Sequence, residues 1–134
     1  MPVLLHIREA FDDAYEIVKK AGNTKGILHC FTGTREEAQG VIDRGWYLSI
    51  SGIATFKKSE ELRRIIKYVP LDHLLIETDT PYLAPQSKRG QINEPSFLLE
   101  TAEMIASLKG IKVEAVGEIT SQNAEQFFSF SKVF

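Results

Sequence analysis

Apolar and polar positions along the chain switch between two periods, and the switches mark out the elements. Val3 to His6 is a short apolar run closed by a histidine, with Leu4 and His6 on one face and Val3 and Leu5 on the other, the period of a strand. From Phe11 to Ala21 the positions Phe11, Ala14, Tyr15 and Val18 take helical spacing, and Gly22-Asn23 stops it. Gly26 to Phe31 reads as a second strand, with Ile27 and His29 sharing a face and Cys30 turned the other way as packing toward a covering helix. Thr34-Arg35-Glu36-Glu37 is a capping box, predicting a helix to about Arg44 with Gly45 as its stop. Trp46 to Gly52 alternates Leu48 and Ile50 with Ser49 and Ser51, a third strand with its serines inward. After the loop from Gly52 to Lys58, Ser59 is the expected N-cap of a helix that buries Leu62, Ile65, Ile66 and Val69 and ends at Pro70.

The fourth strand begins at Leu74-Leu75-Ile76 and ends in two carboxylates, Glu77 and Asp79, just before Pro81. Alternation puts Leu75, Glu77 and Asp79 on one face and Ile76 and Thr78 on the other. Further on, Pro95 suits the first position of a helix with Leu98, Ala102, Ile105 and Leu108 as its apolar stripe and Gly110 as its end. A short helix near Val113 to Ile119 and another from Thr120 through Phe128 are expected to finish the chain. Strands separated by helices in a βαβαβαβ run require a parallel α/β sheet with right-handed crossovers.

At 134 residues the chain reads as a single domain, 1–134, well short of the roughly 250 of a full (β/α)₈ barrel. A formal charge of −2 removes any general attraction to nucleic acid, so such binding would need a local basic patch. The single cysteine excludes an internal disulfide and suits a reducing, cytoplasmic setting. No apolar run reaches the ~18 residues of a membrane span, and the start lacks the apolar core of a signal peptide.

His6, His29 and Asp79 all fall at the carboxyl end of an inward-reading parallel strand, the edge where such sheets bind ligands. Imidazoles and a carboxylate converging there are a ligand set for a divalent metal such as Zn²⁺ or Mn²⁺. Glu77 has the parity to orient one of those ligands from behind, and Asp79 could also take the proton from a metal-bound water. His73, at the opposite end of its strand, reads as structural. Arg8, Lys57, Lys58, Lys88 and Arg89 follow strand ends, where together they would make a phosphate site, with Tyr82 and Phe56 available to stack on bases.

With these residues in view, the chain resembles the TatD family of metal-dependent deoxyribonucleases. The resemblance runs in order through Pro2 to Ala10, Leu28-His29-Cys30-Phe31-Thr32-Gly33, Ser49-Ile50-Ser51-Gly52, Glu77-Thr78-Asp79-Thr80-Pro81-Tyr82-Leu83, Asn93-Glu94-Pro95 and Asn123-Ala124. It implies a TIM-type (β/α)₈ barrel with two divalent metals (Mg, Mn or Zn) that cuts DNA phosphodiesters, often from the 3′ end. By the same resemblance His6 and His29 would bind one metal and Asp79 the other, and Asn93 would lie among the phosphate contacts.

The departures are informative. The family's opening His-x-His strand and its bridging glutamate are absent, so the four strands correspond to barrel strands five to eight and three of six expected ligands are missing. Ile7 stands where Ser or Thr is common, and Ile92 where a basic residue usually precedes Asn93. Half a barrel would expose two strand edges and an inner face of Leu4, Ile27 and Leu75, so the chain is expected to pair with a second copy, to pair with a separately made N-terminal half, or to be a piece of a longer enzyme. Three readings stay open: a metal-dependent DNase, a non-enzymatic half-barrel that only binds, and a small-molecule amide or ester hydrolase of the same superfamily.

Overall fold

The computed structural model describes residues 2–130. Among them, β1 (Val3–His6), β2 (Gly26–His29), β3 (Tyr47–Ile50) and β4 (Leu74–Ile76) form one parallel sheet in the order β1-β2-β3-β4. The helices α1 (Phe11–Lys20), α2 (Arg35–Asp43) and α3 (Glu60–Tyr68) connect them, and α4 (Leu98–Lys109) and α5 (Val113–Phe128) follow. The parallel sheet is what the alternation of periods predicts, and its four strands in sequence order make half of a (β/α)₈ barrel, as the resemblance implies.

Register settles which residues share a face. Leu5 pairs with Leu28, Leu28 with Leu48 and Leu48 with Leu74. That row meets the helices in the main core, beside Val41, Ile65, Ile66, Ile105 and Val116. The opposite, inner face carries Leu4 level with Ile27, Ile27 with Tyr47, Ser49 with Leu75, and His6 with His29. At the start of β2 the Trp46 ring lies directly on Gly26, where an added Cβ would come within 2.1 Å of it. The Trp46 indole donates to Thr24 O at 2.6 Å, and His73 Nδ1 bonds Trp46 O at 2.8 Å, so this histidine ties strand starts together.

β1 keeps its expected bounds, while β2, β3 and β4 end sooner than expected, at His29, Ile50 and Ile76. Cys30 (φ 49°) and Asp79 (φ 60°) turn into the left-handed region just past the ends of β2 and β4. After β3, Ser51 caps a helical turn over Gly52–Thr55. The capping box of α2 forms as expected, with Glu37 N donating to Thr34 Oγ1 (3.2 Å) and Thr34 N to Glu37 Oε2 (2.8 Å). Ser59 precedes α3 but makes no side-chain cap, and Pro95 opens a separate turn, Pro95–Phe97, ahead of α4. The two short terminal helices are one: Thr120 is buried and its hydroxyl donates back to Val116 O at 2.8 Å, which satisfies it inside a continuous helix.

The expected bare inner face is a further correction. Ile27 and Leu75 are only 2% and 6% exposed, because the end of α5 places Phe127 against them, with Ala124 and Tyr47 packed alongside. Phe127 and Tyr47 meet edge to face at 5.7 Å. Leu4 is the part of that face left open, at 56%. α5 is held there by Asn123, whose amide donates to Leu71 O and Leu74 O at the start of β4.

Phe127→Ala is therefore expected to cost about 3–5 kcal/mol, the range for an aromatic ring removed from a core. Urea unfolding of the two chains should show that loss as a lowered midpoint; an unchanged midpoint would mean that the inner face is not sealed this way.

Candidate metal centre

β1 and β2 end level, so their last residues, His6 and His29, stand side by side with ring centroids 5.7 Å apart. His29 also meets both acids. Its Nδ1 lies 2.9 Å from Glu77 Oε2 and its Nε2 3.4 Å from Asp79 Oδ1. In the tautomer that carries its hydrogen on Nδ1, that hydrogen goes to Glu77 and the Nε2 lone pair is left on the Asp79 side. The contact sets the Glu77 carboxylate against the His29 ring, on the face that its strand parity suggested.

The donor set fits a cation. His29, Glu77 and Asp79 each offer a ligand atom within 4.8 Å of the others. The lone pair of Nε2 faces a carboxylate oxygen at 3.4 Å, close to the ~3.3 Å that two donors on one tetrahedral ion with ~2.0 Å bonds would keep. Glu77 Oε1 is buried without a hydrogen-bond partner among the described residues, as expected of a carboxylate whose second oxygen is reserved for a proton or metal. His6 is exposed and lies outside this three-residue group, beside His29 on the open side of the sheet.

Cys30 does not face a covering helix. Its positive φ breaks the strand alternation and carries the side chain to the rim, where Sγ meets Ser51 Oγ at 3.2 Å. Burial pushes the thiol above its ordinary pKa; the Ser51 hydrogen bond works against that shift, and the charges of Glu77 and Asp79 add to it. Seen from the sequence, one residue of left-handed backbone was enough to hide Cys30 from the site.

Asp79 lies past the end of β4, in a turn packed closely on its neighbours. Leu83 O would be 2.5 Å from a Cβ at Gly52, so only glycine allows the loops after β3 and β4 to touch. Gln86 joins them further: its N donates to Thr55 Oγ1 (2.8 Å) and its Oε1 accepts from Lys57 N (3.1 Å). That contact gathers the basic residues of two loops on one side of the rim. Lys57, Lys58 and Arg89 are exposed there, and Lys88 is half-buried with its ammonium 5.6 Å from the Phe97 ring. The Arg89 guanidinium covers Phe56 at 4.0 Å, whereas Tyr82 is 70% exposed.

Two residues expected among the phosphate contacts have other surroundings than expected. Arg8 is exposed in a cleft of about 740 Å³ that His29 also lines, together with Glu9, Arg35, Glu36 and Glu61, a mixed rather than a basic setting. Asn93 is 2% exposed, and its amide is spent on backbone: Nδ2 donates to Thr78 O and Tyr82 O, and Oδ1 accepts from Glu94 N. Its polar atoms are therefore directed into the protein and away from the mouth.

The family model described as TatD related DNase matches residues 1–129. Metal-dependent hydrolase YcfH of Escherichia coli K12 is 46% identical over 129 residues, covering 95% of this chain and 49% of that protein. A protein of Erwinia billingiae named 3'-5' ssDNA/RNA exonuclease TatD is 37% identical over 135 residues, covering 96% and 52%. The crystal structure of a TatD family hydrolase from Entamoeba histolytica superposes with a TM-score of 0.86 at 26% identity, over 95% of this chain and 50% of that one. The chain spans about half the length of the curated relatives it matches. A four-stranded parallel half-barrel with histidines and acids gathered on its carboxyl rim, matched along nearly its whole length, belongs to the TatD family of metal-dependent hydrolases.

Proposed function

We propose that this chain carries one half of the active centre of a divalent-metal-dependent nuclease that hydrolyses DNA phosphodiesters from the 3′ end. The observation that carries the reading is the His29–Glu77–Asp79 group, with Lys57, Lys58, Lys88 and Arg89 in the loops that follow β3 and β4. The name of the Erwinia relative supports single-stranded DNA or RNA as the substrate class. His6, His29 and Asp79 would hold the metal, and Glu77 would fix the His29 ring. When bound, the cation would lower the pKa of a water and polarise a phosphoryl oxygen. Asp79, about a third exposed, is placed to accept the water's proton, while Lys57, Lys58, Lys88 and Arg89 would bind the phosphates and Tyr82 would stack on a base.

The remaining ligands would come from an N-terminal half or a second copy of this chain. Two features of the described residues favour such pairing. Leu4 is exposed on the inner face, and a groove of about 590 Å³ beside β4 is lined by Leu75, Leu99, Ala102, Gly117 and Ala124. Among the described residues no helix is long and apolar enough to cross a membrane; the single cysteine suits a reducing, cytoplasmic setting for such an enzyme. The specific observation favouring the binding-only alternative is that the group supplies three close donors where a complete two-metal centre needs more.

Three measurements test this reading. Titration of the chain with Mn²⁺, followed by the loss of the free-ion electron paramagnetic resonance signal, should show binding that His29→Ala weakens at least tenfold and Glu77→Gln by about 10–100-fold. Equal binding by all three chains would refute the metal centre.

Release of nucleotides from 3′-labelled single-stranded DNA with Mn²⁺ should appear when the chain is mixed with an N-terminal half-barrel from YcfH, and vanish with His29→Ala. Binding of Mn²⁺ and DNA without release would favour the binding module, and cleavage of an amide or ester panel instead of DNA would favour the small-molecule hydrolase.

Binding of a labelled single-stranded oligonucleotide should weaken with salt. Lys58→Ala and Arg89→Ala should each lower the log–log slope by about 0.7, as expected for one lost phosphate contact on a single strand. Unaltered slopes would remove the basic edge from the substrate path.

A further inference from the structure

We infer that Asn93 is a positioning residue for Asp79, acting through the backbone of the turn that carries it. This rests on the reading of Asp79 as a metal ligand. Asp79 adopts φ 60°, a conformation uncommon for a residue with a Cβ that persists where its surroundings favour it. Its carboxylate points at His29 Nε2 in that conformation.

The imposing contacts converge on one side chain. Asn93 Nδ2 donates to Thr78 O and to Tyr82 O, both at 2.7 Å, and these carbonyls bracket the turn on either side of Asp79. The Asn93 backbone N–H donates to Pro81 O at 3.1 Å, within the same turn. Glu94 N donates to Asn93 Oδ1 at 2.9 Å and fixes which way the amide faces. Both amide hydrogens and the carbonyl oxygen are thus used, in a group only 2% exposed. Within the turn itself, the other bonds are Tyr82 N to Asp79 O (2.9 Å) and the exposed pair of Thr78 and Thr80. A substitution at residue 93 frees two carbonyls at once and lets Asp79 relax to ordinary backbone, away from His29.

The molecule contains its own control. Asn123 also uses Nδ2 to bond two carbonyls, Leu71 O and Leu74 O, and is 6% exposed, but it does so at the other end of β4. Losing either asparagine should destabilise the fold comparably; only the loss of Asn93 should reach the metal centre.

The test compares the full chain with Asn93→Ala, Asn93→Asp, Asn123→Ala and Asp79→Ala, each checked for folding by circular dichroism. Two readouts are taken: Mn²⁺ affinity, and the Asp79 ¹³Cα and ¹³Cβ shifts without metal, which report its backbone conformation. Asn93→Ala is expected to weaken Mn²⁺ at least tenfold and move the Asp79 shifts out of the left-handed range. Asn123→Ala should change affinity less than twofold and leave those shifts alone.

Asn93→Asp keeps the shape and the acceptor for Glu94 N but loses both donors, so it serves if the alanine variant does not fold. Its added negative charge should attract a cation, so weaker Mn²⁺ binding by this variant can only reflect a displaced ligand. Asp79 shifts that stay left-handed in either Asn93 variant, or a loss of affinity matched by Asn123→Ala, would overturn the inference. If Asp79→Ala binds Mn²⁺ as tightly as the parent chain, the metal reading of Asp79 fails, while the shifts still decide whether Asn93 holds the turn.

Discussion

In a parallel sheet every strand delivers its last residue to the same edge, and the site of this protein is what its strands place there. The ladder between β1 and β2 pairs Leu4 with Ile27 and Leu5 with Leu28, and two residues along it must set His6 beside His29. A slip of one residue would send a histidine to the helix side and bring an apolar neighbour into its place. Burial resists that slip from both faces, because Ile27 is sealed on the inner side and Leu28 on the outer. At about 1.5–3 kcal/mol for each large apolar side chain displaced, the cores hold the register, and the register holds the histidines.

The acids are positioned by different means. Glu77 still bonds the ladder through its N–H to Ile50 O at 2.9 Å, so it behaves as a strand residue and meets His29 from a predictable direction. Asp79 has left the sheet. Its position depends on a loop clamped by close contact with Gly52 and by the buried amide of Asn93. One part of the centre is therefore as stiff as the sheet, and another is as stiff as its tethers. This division explains why a buried polar residue well downstream in the chain bears on the geometry of the rim.

What could be read from the sequence follows the same division. Periodicity gave the strand and helix order, and parity along β1, β2 and β4 placed His6, His29 and Glu77 on one face, since those residues obey the ladder. Parity failed at Cys30, because a positive φ is a property of one residue in its tertiary setting and leaves no periodic trace. It gave no hint that Asn93 faces inward, because a loop asparagine looks alike in sequence whether it bonds phosphate or carbonyl. The seal over Ile27 and Leu75 was also invisible: it depends on α5 running unbroken to Phe127, and Gly117 and Thr120 are weak helix formers whose local preference tertiary packing overrides.

The seal changes how half a barrel should be understood. The main core lies between sheet and helices and is built from residues of this chain, and Phe127 closes the inner face near the strand starts. What stays open lies toward β1, where Leu4 and His6 are exposed. The core and the proposed site are therefore separable: the core is closed by residues of this chain, while the open region surrounds His6, a proposed metal ligand. A covering partner would take water from Leu4 and His6 together, so the apolar gain of docking would be coupled to the removal of solvent from one side of the centre. In that arrangement the fold would not need its other half to exist, and the chemistry would need it to be dry.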